Sequence, residues 1–224
     1  GVSSAASDVY KRQVATTKAY STQLICMYIL SMYAAQVRGE IEESTLGNML
    51  KEIVLLPEKV ASILADKERI QWFANKFASA HDVFFIGRGL DYAICQEGSL
   101  KMKEVSYVHT EAYAAGELKH GTISLISDGM PVIAVATQKA LFEKTISNIK
   151  EVKARGAKVV LVCRDTYQPD TDVADLKFGL PDFDDLLMPM LAVVPLQLIA
   201  YYTSVLRGND VDKPRNLAKS VTVE

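Results

Sequence analysis

Cysteine is scarce in this chain and never paired: Cys26, Cys95 and Cys163 stand far apart among 224 residues. That pattern excludes a disulfide framework or a thiolate metal centre, and it reads as buried, reduced thiols in a cytoplasmic protein. Histidine is equally sparse. His81, His109 and His120 share no ligand spacing with one another or with a cysteine, so no metal is expected. No GxGxxG pattern occurs either, and no nicotinamide or other cofactor is called for. Neither sign of charge dominates. Twenty-five basic residues are interspersed among 27 acidic ones for a formal net charge of -2, a field too weak and too mixed to imply nucleic acid as a partner. The most apolar helical stretch, from about Leu24 to Val37, is broken by Ser31 and is too short to span a bilayer, so no membrane is expected as a partner. The single tryptophan, Trp72, falls on an amphipathic pattern and reads as core or interface rather than as a ligand platform.

What the chain has is apolar sequence for one sizeable core, with 49% hydrophobic and 23% charged residues. Residues 1–13 show no clean periodicity and read as a cloning or sequencing remnant. From Val14 a helix with an apolar stripe through Leu24, Met27, Tyr28 and Ala35 runs to Gly39. Helical spacing continues to Ala80, with Pro57 expected to start a new helix. Val83–Ile86, the segment PVIAVAT and the segment KVVLVCR are short continuous apolar runs of the kind buried in parallel strands. Between the last two, Lys139 to Arg155 has a helical pattern stopped by Gly156. Asp175 to Leu180 suggests an edge strand, and Asp182 to Arg207 a long apolar helix bent or interrupted at Pro189 and Pro195. Strand–helix alternation of this kind predicts an α/β fold: a parallel sheet with helices on both faces and a ligand crevice at the carboxyl ends of the strands.

Most groups capable of proton chemistry cluster between Asp82 and Gly121. The turn Gly87-Arg88-Gly89 separates the first strand from a helix and is expected to aim backbone N–H groups at a ligand. On that helix Glu97, Lys101 and Glu104 are four and three residues apart, so they share one face. The plain reading is a solvated surface pair worth about 0.2–0.5 kcal/mol. The sharper one makes Glu104 a proton shuttle beside an ammonium. His120 lies in Glu117-Leu118-Lys119-His120-Gly121, a short amphipathic turn, where it either caps the turn or reaches a ligand. Lys219, in a C-terminal segment without an apolar stripe, reads by default as a solvated ammonium.

Four strings change that balance: GRG, QEGSLKMKEVSY, HTEAYAAGELKHG and DKPRNLAKSVTVE. They closely resemble the C-terminal half of the glutamine:fructose-6-phosphate amidotransferases, the glucosamine-6-phosphate synthases, and the similarity runs from about Val14 to Glu224. The resemblance implies a three-layer αβα sandwich around a parallel sheet, the second of two sugar-isomerase (SIS) subdomains. Residues 14–40 then close the missing first subdomain, 41–208 form the second, and 209–224 form an ordered C-terminal tail over the sugar site. It further implies Glu104 as the base moving a proton between C1 and C2, and Lys101 as its helper. Lys219 corresponds to a Schiff-base lysine, and His120 to a ring-opening histidine contributed across a homodimer. Arg215, Leu100 and Ala218 are implied beside the sugar. The substrate so implied is fructose 6-phosphate, the nitrogen source glutamine-derived ammonia from a separate glutaminase domain, and the product glucosamine 6-phosphate. The phosphate-gripping loop of such enzymes lies in the first subdomain, so these 224 residues alone are expected to be inactive. Two other readings stay open, a stand-alone phosphosugar-binding regulatory module and a phosphosugar isomerase without amidotransfer.

Overall fold

The computed structural model describes residues 14–217. Among the described residues three helices come first: α1 (Lys18–Val37), α2 (Glu43–Ala65) and α3 (Lys67–Asn75). Pro57 does not start a helix of its own. It sits exposed inside α2, where water can take the carbonyl its ring leaves unpaired. The chain then alternates through β1 (Asp82–Gly87), α4 (Leu90–Ser106), β2 (His109–Ala114), β3 (Pro131–Ala136), α5 (Phe142–Lys153), β4 (Lys158–Arg164), β5 (Leu176–Leu180) and α6 (Met188–Leu206). All five strands are parallel, in the order β2-β1-β3-β4-β5.

Period-two alternation sorts the sheet residues into two cores. Val83 and Phe85 of β1, Ile133 and Val135 of β3, and Val160 and Val162 of β4 face α3, α4 and α6. Phe84, Ile86, Val132, Ala134, Val159 and Leu161 face α5 and the 3₁₀ turns after β2. The result is three layers with the sheet in the middle, which is why β1, β3 and β4 are apolar throughout. The strand β2 does not look like one in sequence because it lies at the sheet edge and keeps four half-buried positions.

Helix α6 starts at Met188 rather than at Asp182, because Asp182, Phe183 and Asp185 are held at the sheet by Arg164. By length and composition α6 could cross a bilayer, yet Met188, Leu191, Val193, Leu196 and Ile199 are core residues. It packs so closely on α4 that a β-carbon at Gly98 would sit 2.7 Å from Leu196 Cδ1. Helix α1 docks on the same layer through Tyr20, Leu24, Ile25 and Tyr28, and the Tyr28 hydroxyl donates to Leu186 O at 2.5 Å. Its opposite face shows Met27, Leu30 and Tyr33 to the outside, and Cys26 is exposed rather than buried as expected, whereas Cys95 and Cys163 are buried. Trp72 is also no core residue. It is half exposed, with Lys76 Nζ 4.8 Å from its ring.

Candidate active site

Gly87 makes the exit from β1 possible: a β-carbon there would lie 2.7 Å from the Asp91 carbonyl carbon, so only glycine lets the chain turn so sharply into α4. About one and a half turns before its end, α4 carries Lys101, whose side chain is only 4% exposed. This is not the solvated surface pair that spacing alone suggests. Lys101 Nζ donates to Glu104 Oε2 at 2.5 Å and lies 3.5 Å from Glu97 Oε1, an ion pair without a hydrogen bond. Burial raises the pKa of Glu97, and the Lys101 ammonium opposes the rise. The lysine is covered because Ala15, Gln197, Tyr201 and Val211 close over it, leaving a cavity of about 40 Å³.

Glu104 is half-buried at the mouth of a cleft of about 440 Å³, lined by Lys103, Glu104, Tyr107, His109, Arg215 and Leu217 among others. Because α4 runs back antiparallel to the strands, this cleft opens at their amino ends. At the carboxyl ends, where strand order reverses between β1 and β3 and a ligand crevice is expected, the polar side chains are committed to protein partners. Asp91 accepts from Thr137 N at 2.7 Å, Thr137 Oγ1 at 2.6 Å and Gln138 N at 3.3 Å. Burial raises its pKa against these donors. Arg88 is likewise committed, Nε donating to Asn148 Oδ1 at 2.9 Å. A larger hollow of about 610 Å³ beside α2 and the Asp182 loop holds none of the predicted site residues.

Residues 76–207, more than half of the chain, match the SIS domain family. The chain belongs to that family. It is 54% identical to a glutamine–fructose-6-phosphate aminotransferase (isomerizing) of Caldanaerobacter subterraneus subsp. tengcongensis and 51% identical to that of Clostridium acetobutylicum, each over 94% of this chain. It spans only 35% of the length of these relatives. In three dimensions it is similar to the C-terminal domain of glucosamine-fructose-6-phosphate aminotransferase from Francisella tularensis, with a TM-score of 0.84 and 35% identity, over 90% of this chain and 57% of that one.

Glu104 and Lys101, within the matched SIS residues, come together with Arg215, which lies just beyond them. The Arg215 amide donates to the Tyr107 hydroxyl oxygen at 2.8 Å, and its guanidinium carbon lies 4.2 Å from the centre of the Tyr107 ring. Leu100 is 43% exposed on α4 and does not line the cleft. His120 is elsewhere. It lies beyond the carboxyl end of β2, about 20 Å of strand away from His109 in the cleft, exposed and 4.0 Å from Glu117 Oε2. Ala218 and Lys219 lie outside the described residues. Lys103, Tyr107 and His109 enter the site without having been singled out. Lys103 could have been found as the neighbour of Glu104. His109 Nδ1 is engaged with Asp82 Oδ1 at 2.7 Å. Tyr107 gives no sequence signal, because its place depends on a left-handed backbone (φ 60°) at the end of α4.

Proposed function

We propose that this SIS domain is the C-terminal isomerase part of a glutamine–fructose-6-phosphate aminotransferase, which as a whole makes glucosamine 6-phosphate from fructose 6-phosphate and glutamine-derived ammonia. The observation that carries this reading is the buried Lys101–Glu104 pair at the rim of a cleft bordered by the C-terminal segment. Moving a proton from C1 of a ketose needs a carboxylate within reach and a cation to absorb the enolate charge that develops. Glu104 is the base. Lys101, held against it, shuttles protons among the sugar hydroxyls. The amine of Lys219 condenses with the C2 carbonyl and releases water. Ammonia then adds at C2 and expels the lysine, after which the C1 proton taken by Glu104 is returned at C2.

His120 opens the sugar ring at the site of a partner subunit, a role that fits its position on the far side of the sheet from Glu104. Arg215 and Ala218 border the sugar, and Leu100, which lies outside the cleft, does not. The 224 residues alone do not turn over, because the chain spans about a third of the relatives' length; residues 14–40 belong to a preceding SIS subdomain and 209–224 form the active-site tail. Borohydride reduction of the full-length parent protein in the presence of fructose 6-phosphate labels Lys219. A label elsewhere, or none, removes the Schiff base. Sugar binding with no label and no exchange at C1 points instead to a regulatory phosphosugar-binding module.

A further inference from the structure

The segment after α6 is fastened to the end of α4 at successive points. The Asn209 side chain donates to Ser106 O at 3.4 Å, a carbonyl that the last turn of a helix leaves without an intrahelical partner, and to Val105 O at 3.5 Å, which also accepts from Ser204 Oγ at 2.6 Å. Asp210 folds the next turn by accepting from the Asp212 and Lys213 amides, and Val14 N donates to Asp212 O at 3.2 Å. Pro214 is buried. The chain then reaches Arg215, held by Tyr107.

Tyr107 sits at the helix cap with φ 60° and ψ 18°, a backbone state that glycine adopts freely and a bulky residue adopts at a cost. For simply ending α4, glycine would serve better. The described polar contacts of the Tyr107 side chain, an accepted hydrogen bond and a ring beneath a guanidinium, both go to Arg215. We infer that Tyr107 is a positioning residue, a latch whose side chain holds the C-terminal segment across the Glu104 cleft. The inference rests on the reading of Lys219 as the Schiff-base lysine. Lys219 is four residues beyond Arg215, so an anchored Arg215 confines its backbone to within roughly 14 Å of the cleft rim. Without the Tyr107 contacts the last fixed points are Asp212 and the buried Pro214, so the tether to Lys219 lengthens by about one to three residues and the effective concentration of the amine at the cleft falls accordingly.

Amide hydrogen exchange at Arg215, measured on this chain, tests the latch without requiring activity. Tyr107→Phe keeps the ring and deletes the acceptor oxygen, so exchange at Arg215 rises roughly three- to tenfold. Tyr107→Gly also removes the ring while relieving the backbone, so exchange rises further with no loss of melting temperature. Wild-type exchange at Arg215 in both variants overturns the latch, and if the glycine variant fails to fold, the phenylalanine variant decides alone. In the full-length parent, the rate of borohydride trapping at Lys219 falls by a similar factor in Tyr107→Phe. Trapping that ignores both variants overturns the latch and leaves the sugar chemistry standing. Exchange that responds to Tyr107 in a protein whose Lys219 never traps supports the latch and removes the sugar chemistry.

Discussion

Lys101 sits between two carboxylates with almost none of its side chain exposed, and its removal is therefore unlike the loss of a surface charge. Lys101→Met leaves Glu97 and Glu104 facing each other without a cation. Both carboxylates keep some contact with water, which moderates the penalty for breaking a buried pair to about 1–3 kcal/mol. A urea titration of the folded chain reads it as a lower midpoint at unchanged slope. Adding Glu97→Gln to Lys101→Met restores part of the loss, because the repulsion goes with the second charge. An unaltered midpoint in Lys101→Met would mean that the pair is solvated after all. The spacing of Glu97, Lys101 and Glu104 is legible in sequence, since a helix places them on one face. Their burial is not legible, because it depends on residues 15, 197, 201 and 211, which approach only once α6 has packed on α4.

At the scale of elements, the loop from β5 to α6 is tied to the end of β4 by one fully buried guanidinium. Arg164 Nε donates to Thr137 O at 2.7 Å and Nη1 to Phe183 O at 2.5 Å, while the two terminal nitrogens also pair with Asp182 and Asp185. The hydrogen bond from Arg164 holds the Asp182 carboxyl below the ordinary value of 3.8. Burial pushes Asp175 the other way, but the Lys153 ammonium and the Val159 amide outweigh it, so Asp175 also lies low. A carboxyl depressed in the folded state stabilises it at pH values above the ordinary carboxylate range, and that contribution disappears as the pH falls through the folded value. Asp91 and Glu97, both raised, act with the opposite sign. As the pH falls from about 5 to 3 the wild-type chain loses the Asp182 contribution and an Asp182→Asn chain has none to lose, so the urea midpoint of the variant changes less in the destabilising direction over that range. An equal change in the variant would show that Asp182 contributes nothing there. Sequence reading carried α6 back to Asp182 because the apolar pattern extends that far. The true start at Met188 is set by a buried arginine whose partners lie on either side of the sheet edge, which no local pattern reports. The apolar runs of β1, β3 and β4 were readable for the complementary reason: a strand covered on both faces needs nothing beyond its own composition to declare itself.

At the scale of the whole molecule, the parallel sheet separates two of the proposed catalytic groups. Glu104 lies near the amino ends of the strands and His120 beyond the carboxyl end of β2, so one subunit does not bring them to a common sugar. A symmetric dimer can, if each site takes its glutamate from one copy and its histidine from the other. Such sharing has a numerical signature. In the full-length parent, Glu104→Gln and His120→Asn are each nearly inactive alone. Mixed and allowed to exchange subunits in equal amounts, half of the dimers become heterodimers, and in each of these one of the two sites has both native residues. Activity then returns to about a quarter of the wild-type value. Were both residues to act within a single subunit, one subunit of every heterodimer would lack the base and the other the histidine, and no mixing ratio would restore turnover. The sequence alone places both residues on the chain but is silent on this separation, because it follows from the direction in which α4 returns across the sheet and not from any residue at the site.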